Sequence, residues 1–150
     1  MKAILQRVAS ASVTIDSHVV SSIGKGVLVF AAVAAEDTRK EVESMAAKVL
    51  KMKLWPDQTG ATIGQSNLDV LAVSQFTLLA STKKGNKPDF HGAAGGDQAK
   101  ELYDHFYSKV QELHDPEKVK KGVFQAMMES ESSNGETVYH LLRSTSRFKE

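Results

Sequence analysis

The chain contains no cysteine. Neither a disulfide framework nor a cysteine-ligated zinc site is open to it, which fits a reducing compartment. No apolar run approaches the ~20 residues that a membrane helix needs. The opening residues, Met1-Lys2-Ala3-Ile4-Leu5-Gln6-Arg7, break polarity too early for the apolar core of a secretory signal. A cytoplasmic location is expected on these grounds. Charge of one sign is lacking too: 19 Lys and Arg stand against 18 Asp and Glu, a net charge of +1. Bulk charge therefore announces no nucleic-acid partner, and any basic surface has to be local.

Familiar catalytic and metal motifs are also missing. There is no G-x-S-x-G elbow and no phosphate-binding P-loop. The five histidines (His18, His91, His105, His114 and His140) show neither H-E-x-x-H nor another ligand spacing, so no metal is expected. Repeats and low-complexity tracts are absent. What is present is an ordinary globular composition, 41% hydrophobic and 25% charged over 150 residues, which suits one domain with its own core.

Periodicity sets out the elements. Residues 2–15 alternate, with Ala3, Leu5, Ala9, Ala11, Val13 and Ile15 on one face of a strand. A short strand over Val19 to Ile23 and a continuous apolar run over Val27 to Val33 complete an expected three-stranded meander. Thr38 with Glu41 forms a capping-box pattern. Val42, Met45, Ala46, Val49 and Met52 keep helical spacing, which predicts an amphipathic helix over 39–52. Leu68 to Leu79 is apolar and β-prone, and Ser81 to Gly96 is a long polar loop. Its glycine-rich end, 92–96, is read as flexible. Asp97 is a candidate cap for a second helix with Leu102, Phe106, Val110 and Leu113 on one stripe. Strands are expected at Phe124 to Met128 and Val138 to Leu142, around a hairpin signal at Asn134-Gly135. Strand runs interrupted by two helices predict an α+β fold with mixed or antiparallel sheets. No regular βαβ alternation is evident, which argues against a Rossmann sheet.

Three features carry possible chemistry. Arg7 sits among Leu5, Ala9 and Ala11 on the apolar face of the first strand. Either the opposite face is the buried one, using Ile4 and Val8, or Arg7 points inward and holds a carbonyl or anion, because a buried guanidinium needs partners for its five donors. Ser74-Gln75-Phe76-Thr77-Leu78 ends an apolar run with three hydrogen-bonding side chains. A half-exposed strand explains them; so does a binding site at a strand end. Lys83-Lys84-Gly85-Asn86-Lys87-Pro88-Asp89-Phe90-His91 puts three lysines beside an aromatic. A solvated loop accounts for the lysines, whereas phosphate contacts plus base stacking on Phe90 account for the whole set.

These segments, in this order, resemble the D-aminoacyl-tRNA deacylases. Met1 to Val8 with Ala11-Ser12-Val13-Thr14 is similar to that family's opening strand. Val73-Ser74-Gln75-Phe76-Thr77-Leu78 is similar to its central signature, and Lys84 to His91 to the eukaryotic form of the next loop. Gly122-Val123-Phe124-Gln125-Ala126-Met127-Met128 leads into its last motif. The resemblance covers residues 1–129. It implies β-sheets arranged as a barrel-like sandwich, a homodimer with its active sites at the subunit interface, and hydrolysis of the ester of tRNA carrying a D-amino acid or glycine. It implies a pocket of Ser74, Gln75, Phe76 and Thr77, with Arg7, Phe90 and Met127 nearby, and neither metal nor cofactor. Thr77 is the candidate nucleophile by residue type, but a threonine hydroxyl is weak without an adjacent base. The preferred scheme has backbone N–H groups around Phe76 and Thr77 stabilise the oxyanion, while the 2′-hydroxyl of the terminal adenosine helps activate water.

The C-terminal part departs from the family. Its last motif, Asn-x-Gly-Pro-Val-Thr, has a cis Gly-Pro bond that enters the partner subunit's pocket and screens out L-amino acids. Here the stretch reads Asn134-Gly135-Glu136-Thr137-Val138-Tyr139, and the three prolines of the chain are Pro56, Pro88 and Pro116. A cis bond without proline costs about 2.5–4 kcal/mol, so that geometry is not expected at Gly135-Glu136. The preceding Glu129 to Ser133 is polar where the family is apolar. Divergence and a different exon or reading frame both account for the change. Impaired chiral selection is the expected consequence; a catalytically silent tRNA-binding homologue is the alternative.

Overall fold

The computed structural model describes residues 1–55, 63, 67–124, 129–133 and 139–143, the last two segments as backbone only. Eight strands and two α-helices follow in the order β1 (Lys2–Val8), β2 (Ser10–Ile15), β3 (His18–Ile23), β4 (Gly26–Ala32), α1 (Arg39–Lys51), β5 (Asp69–Ser74), α2 (Gly96–Leu113), β6 (Val119–Lys121), β7 (Glu129–Ser133) and β8 (Tyr139–Arg143). A 3₁₀ turn, Phe76–Leu79, follows β5 and another, Pro116–Lys118, precedes β6.

The strands form a five-stranded sheet, ordered β6-β5-β4-β1-β8, and a three-stranded sheet, ordered β3-β2-β7. The expected single strand over 2–15 is therefore two strands in two sheets, parted at the exposed Ala9. The expected meander is not formed, because β4 leaves β3 and pairs with β1 and β5. The strands on either side of Asn134-Gly135 do not pair with each other: β7 pairs with β2 and β8 with β1, in different sheets. The two residues themselves lie outside the described part. Phe124 is in a turn rather than a strand, and 125–128 are outside the described residues.

Both faces of the larger sheet are covered. Leu5, Val27, Val29, Val70 and Ala72 face α1 and α2 and pack on Val42, Met45, Val49, Phe106 and Val110. Leu28, Leu71 and Val73 face the smaller sheet and pack on Ala11, Val13 and Ile23. A strand buried on both sides reads as an unbroken apolar run, as β4 does. The two sheets thus form a sandwich with the helices outside it, and no closed barrel joins the sheets among the described residues.

Against the expected lack of βαβ alternation, such a unit is present. The stretch β4-α1-β5-α2-β6 is a βαβαβ unit, parallel at both pairings. It escapes notice in the sequence because β6 is only Val-Lys-Lys, whose buried contribution is Val119. Arg39 pairs with Glu101 at 3.3 Å and His105 with Glu43 at 2.9 Å, so the two helices run in the same direction. Their N-termini and the C-terminal ends of β4 and β5 collect at one end of the molecule, where open parallel sheets ordinarily place their ligands. At the other end, Gly26 is fixed by close approach: a Cβ there would lie 2.0 Å from the Asp69 carbonyl oxygen.

The helix starts are partly as expected. Glu41 accepts the Thr38 N–H at 2.8 Å, completing the capping box. Hydrogen bonding from the Thr38 hydroxyl and N–H lowers the Glu41 pKa. The N-cap of α2 is Gly95, not Asp97; Asp97 falls in the first turn, where its charge suits the helix dipole. The glycine-rich approach to α2 is pinned rather than flexible. Ala35 N–H donates to Gly92 O and Ala94 N–H to Val33 O, both at 3.0 Å.

Candidate active site

The site is built where β5 runs out of partner. Ser74 is its last residue, opposite Ala31 of β4. The Gln75 N–H still reaches Ala31 O at 2.8 Å. β4 ends one residue later, so the chain has no ladder to continue and folds into the 3₁₀ turn Phe76–Leu79. The β-prone run expected to Leu79 therefore stops at Ser74. In the turn, Leu78 N–H donates to Gln75 O and Ala80 N–H to Thr77 O. The Phe76 and Thr77 N–H groups have no acceptor among the described residues, as expected of the first donors of a helical turn.

Ser74 and Gln75 are half-buried, while Phe76 and Thr77 are exposed. Thr77 Oγ1 accepts a hydrogen bond from the Gln75 amide. An amide cannot take a proton, so the hydroxyl has no base beside it. His91, the only imidazole near in sequence, is engaged elsewhere: its Nδ1 pairs with Asp89 Oδ1, which also accepts the His91 N–H at 2.8 Å. Those two bonds, the backbone one first, hold the Asp89 carboxyl below its usual range.

The lysine loop is brought beside this turn by a clip. Ser81 and Asp89 exchange two backbone hydrogen bonds of 2.8 Å each, so 82–88 projects as a closed loop with Gly85 at φ 148°. Lys83, Lys84 and Lys87 on it are exposed. The clip delivers Phe90 to Phe76, edge to face, with ring centroids 5.2 Å apart. Phe76 is 58% and Phe90 38% exposed, so the two rings present one small apolar patch. Lys87, Pro88, Asp89, Phe90 and His91 line an open depression of ≈ 500 Å³.

Ser74, Gln75, Phe76, Thr77 and Phe90 are thus brought together, and Arg7 is not. Arg7 points to the helix side of β1, donates Nη1 to Leu54 O at 2.8 Å and lies 5.9 Å from the Trp55 ring centre. It is inward and holds a carbonyl. Its register partner is Val27, whereas the signature lies level with Ala31 and Ala3. That is four residues along β1, ~13 Å. Met127 lies outside the described residues, as do Asn134, Gly135 and Glu136. No group of three or more metal-ligating side chains occurs among the described residues.

Sequence reasoning missed Lys2. Its Nζ donates to Leu78 O in the signature turn at 2.7 Å. A lysine on the polar side of a strand gives no warning of a contact made 76 residues away.

Comparison with known proteins identifies the family. The family model described as D-Tyr-tRNA(Tyr) deacylase matches residues 4–143. The D-aminoacyl-tRNA deacylase of Yarrowia lipolytica is 53% identical over 135 residues, spanning 86% of this chain and 88% of that protein. The Saccharomyces cerevisiae protein of the same name is 42% identical, over 89% of this chain and 92% of its own length. A solved structure described as c-Myc DNA Unwinding Element Binding Protein superposes with a TM-score of 0.91 at 38% identity, covering 97% of this chain and all of that one. A second, described as a probable eukaryotic D-amino acid tRNA deacylase, shares the fold at a TM-score of 0.83 and 17% identity. A match that runs nearly end to end, with relatives above 40% identity, makes this chain a member of the D-Tyr-tRNA(Tyr) deacylase family.

Proposed function

We propose that this protein hydrolyses the ester bond of D-aminoacyl-tRNA, and of glycyl-tRNA as a further substrate, releasing free tRNA and amino acid. One observation carries the reading at the level of chemistry: the two unengaged N–H groups of Phe76 and Thr77 lie in a turn whose Phe76 ring meets Phe90 beside the lysine loop. The terminal adenine stacks on the exposed phenylalanines, a contact worth about 1–3 kcal/mol per base. Lys83, Lys84 and Lys87 meet the neighbouring phosphates. The ester carbonyl is then presented to the Phe76 and Thr77 amides. Water attacks the carbonyl carbon, and its proton passes by way of the 2′-hydroxyl next to the ester toward the departing 3′-oxygen. The negative charge gathering on the carbonyl oxygen is met by the two amides; one such donor is ordinarily worth ~100- to 1,000-fold in kcat.

Ser74 and Gln75 shape the floor of the pocket, and Gln75 orients the Thr77 hydroxyl. In this scheme Thr77 contributes its amide, and its hydroxyl is not the nucleophile. The working form is a homodimer, and tRNA is its partner.

Deacylation of D-Tyr-tRNA and L-Tyr-tRNA by the purified chain tests this, beside a version with Asn-Asp-Gly-Pro-Val-Thr in place of residues 134–139. Turnover of the D-substrate by the unmodified chain is expected, with a D/L ratio that rises on restoration. No turnover of either substrate, with or without the restored motif, refutes the reading.

A further inference from the structure

Resting on the deacylase reading, we propose that Lys2 is a positioning residue for hydrolysis, locking the turn that carries the Phe76 and Thr77 amides. A four-residue 3₁₀ turn ends with carbonyls that nothing inside it can satisfy. Here Thr77 O is taken by the Ala80 N–H, at 3.1 Å, and Leu78 O by the Lys2 ammonium, at 2.7 Å. At its entry the turn is held by the Gln75 N–H on Ala31 O, at 2.8 Å. The turn is therefore fixed at both ends, and the two amides lie between the fixed points. Among the described residues, Lys2 is the only side chain from another element that reaches the backbone of this turn.

The anchor is rigid at its own end. Lys2 opens β1 and is paired on one side with Ala32 of β4 and on the other with Arg143 of β8. The ammonium is thus carried by a strand paired on both sides. Its bond to Leu78 O is charge-assisted and half-buried, the stronger kind of hydrogen bond. Phe76 and Thr77 themselves are exposed, so beyond the Phe76–Phe90 contact packing does little to hold them. A displacement of ~1 Å at a reacting centre can cost ~100-fold in rate. Holding the turn in register is a task that the Lys2 bond is placed to do.

The experiment is steady-state deacylation of D-Tyr-tRNA by the full chain and by Lys2→Met and Lys2→Arg, with thermal melting of each. Lys2→Met is expected to lower kcat by about 10-fold or more with KM nearly unchanged, because the lost interaction serves the transition state. Lys2→Arg, which keeps a donor, is expected to recover most of it. The melting temperature of Lys2→Met should stay close to that of the unmodified chain. Unchanged kcat in Lys2→Met overturns the proposal. So does a loss that follows a lowered melting temperature and disappears at a temperature where the variant is fully folded. If the unmodified chain turns over and Lys2→Met equals it, only the Lys2 assignment fails; if only the version with the restored Gly-Pro motif turns over, the same comparison is made in that version; if neither turns anything over, the deacylase reading fails with it.

Discussion

Replacing Phe90 with alanine separates a stacking platform from a mere surface contact. The Phe90 ring meets Phe76 edge to face at 5.2 Å and is itself 38% exposed. The intramolecular pair is worth about 0.5–1.5 kcal/mol. For a chain this size each kcal/mol moves the melting temperature by about 2–4 °C, so Phe90→Ala should melt no more than ~6 °C lower. Binding should respond more strongly. A base stacked on an aromatic contributes about 1–3 kcal/mol, equivalent to roughly 5- to 150-fold in affinity. The adenine is stacked equally before and during reaction, so the loss falls on KM while kcat is kept. The assay is kcat and KM for D-Tyr-tRNA at one fixed salt concentration, with Phe90→Leu beside it. Leucine keeps apolar contact with Phe76 and removes the π-face, so it should resemble alanine in KM and the unmodified chain in melting. If both variants keep the parent KM, the terminal base is not on this ring and the assignment of the depression to the tRNA end is wrong.

Other outcomes follow from the same geometry. Thr77→Ala keeps both backbone amides and should retain turnover within about tenfold in a single-turnover assay; complete loss with intact tRNA binding would make the hydroxyl the nucleophile. Changing Lys83, Lys84 and Lys87 together to alanine should flatten the plot of log affinity for tRNA against log salt by about 2, at ~0.7 per phosphate contact on a single strand. Gly26→Ala places a methyl 2.0 Å from Asp69 O and should cost about 1–3 kcal/mol, near the upper end, seen as a lower urea midpoint. The Glu41 carboxyl is held below its ordinary value of 4.5 by Thr38, so its contribution is complete above that value and is lost as pH falls through the lowered one. The melting gap between the parent and Glu41→Gln, small because the group is exposed, should be present at pH 7 and close in strong acid.

Elements whose signal is local are legible in the sequence. Thr38 and Glu41 announce the start of α1 because a capping box is a four-residue affair. The Leu102, Phe106 and Val110 stripe announces α2 because helical spacing repeats within the element. What fails depends on partners. β6 is two lysines and a valine, and only its pairing with β5 makes it a strand. Phe76–Leu79 has strand-like residues, but β4 has ended and leaves no neighbour to pair with. The site shows the same division. Ser74 to Thr77 and Phe90 stand out by residue type, and Phe76–Phe90 contact is made possible by the Ser81–Asp89 clip. Arg7 stands out as an anomaly on an apolar face, yet which end of the sheet it occupies follows from the β1–β4 register alone.

That register also gives the proposed homodimer a test. Ser133, the end of β7, pairs with Ser10, and Tyr139, the start of β8, pairs with Gln6. Ser133 and Tyr139, the described residues on either side of 134–138, therefore lie at the end of the sheet remote from Phe76 and Thr77. A five-residue connection fixed at both ends can project only about 10 Å, half its extended length. The signature turn lies beyond Lys2, a further four residues from Gln6 along β1, ~13 Å. If 134–138 act on a pocket at all, the pocket belongs to a second copy. The prediction is a complementation. A chain carrying the restored Gly-Pro motif but disabled by Phe76→Ala and Phe90→Ala is mixed and re-equilibrated with the unmodified chain. In the mixed dimer the intact pocket of one copy receives the restored segment of the other. The D/L ratio for Tyr-tRNA should then rise above that of the unmodified chain, although neither parent has both parts. A ratio equal to the activity-weighted average of the two parents, with subunit exchange shown by mass, would mean that the segment does not cross between copies.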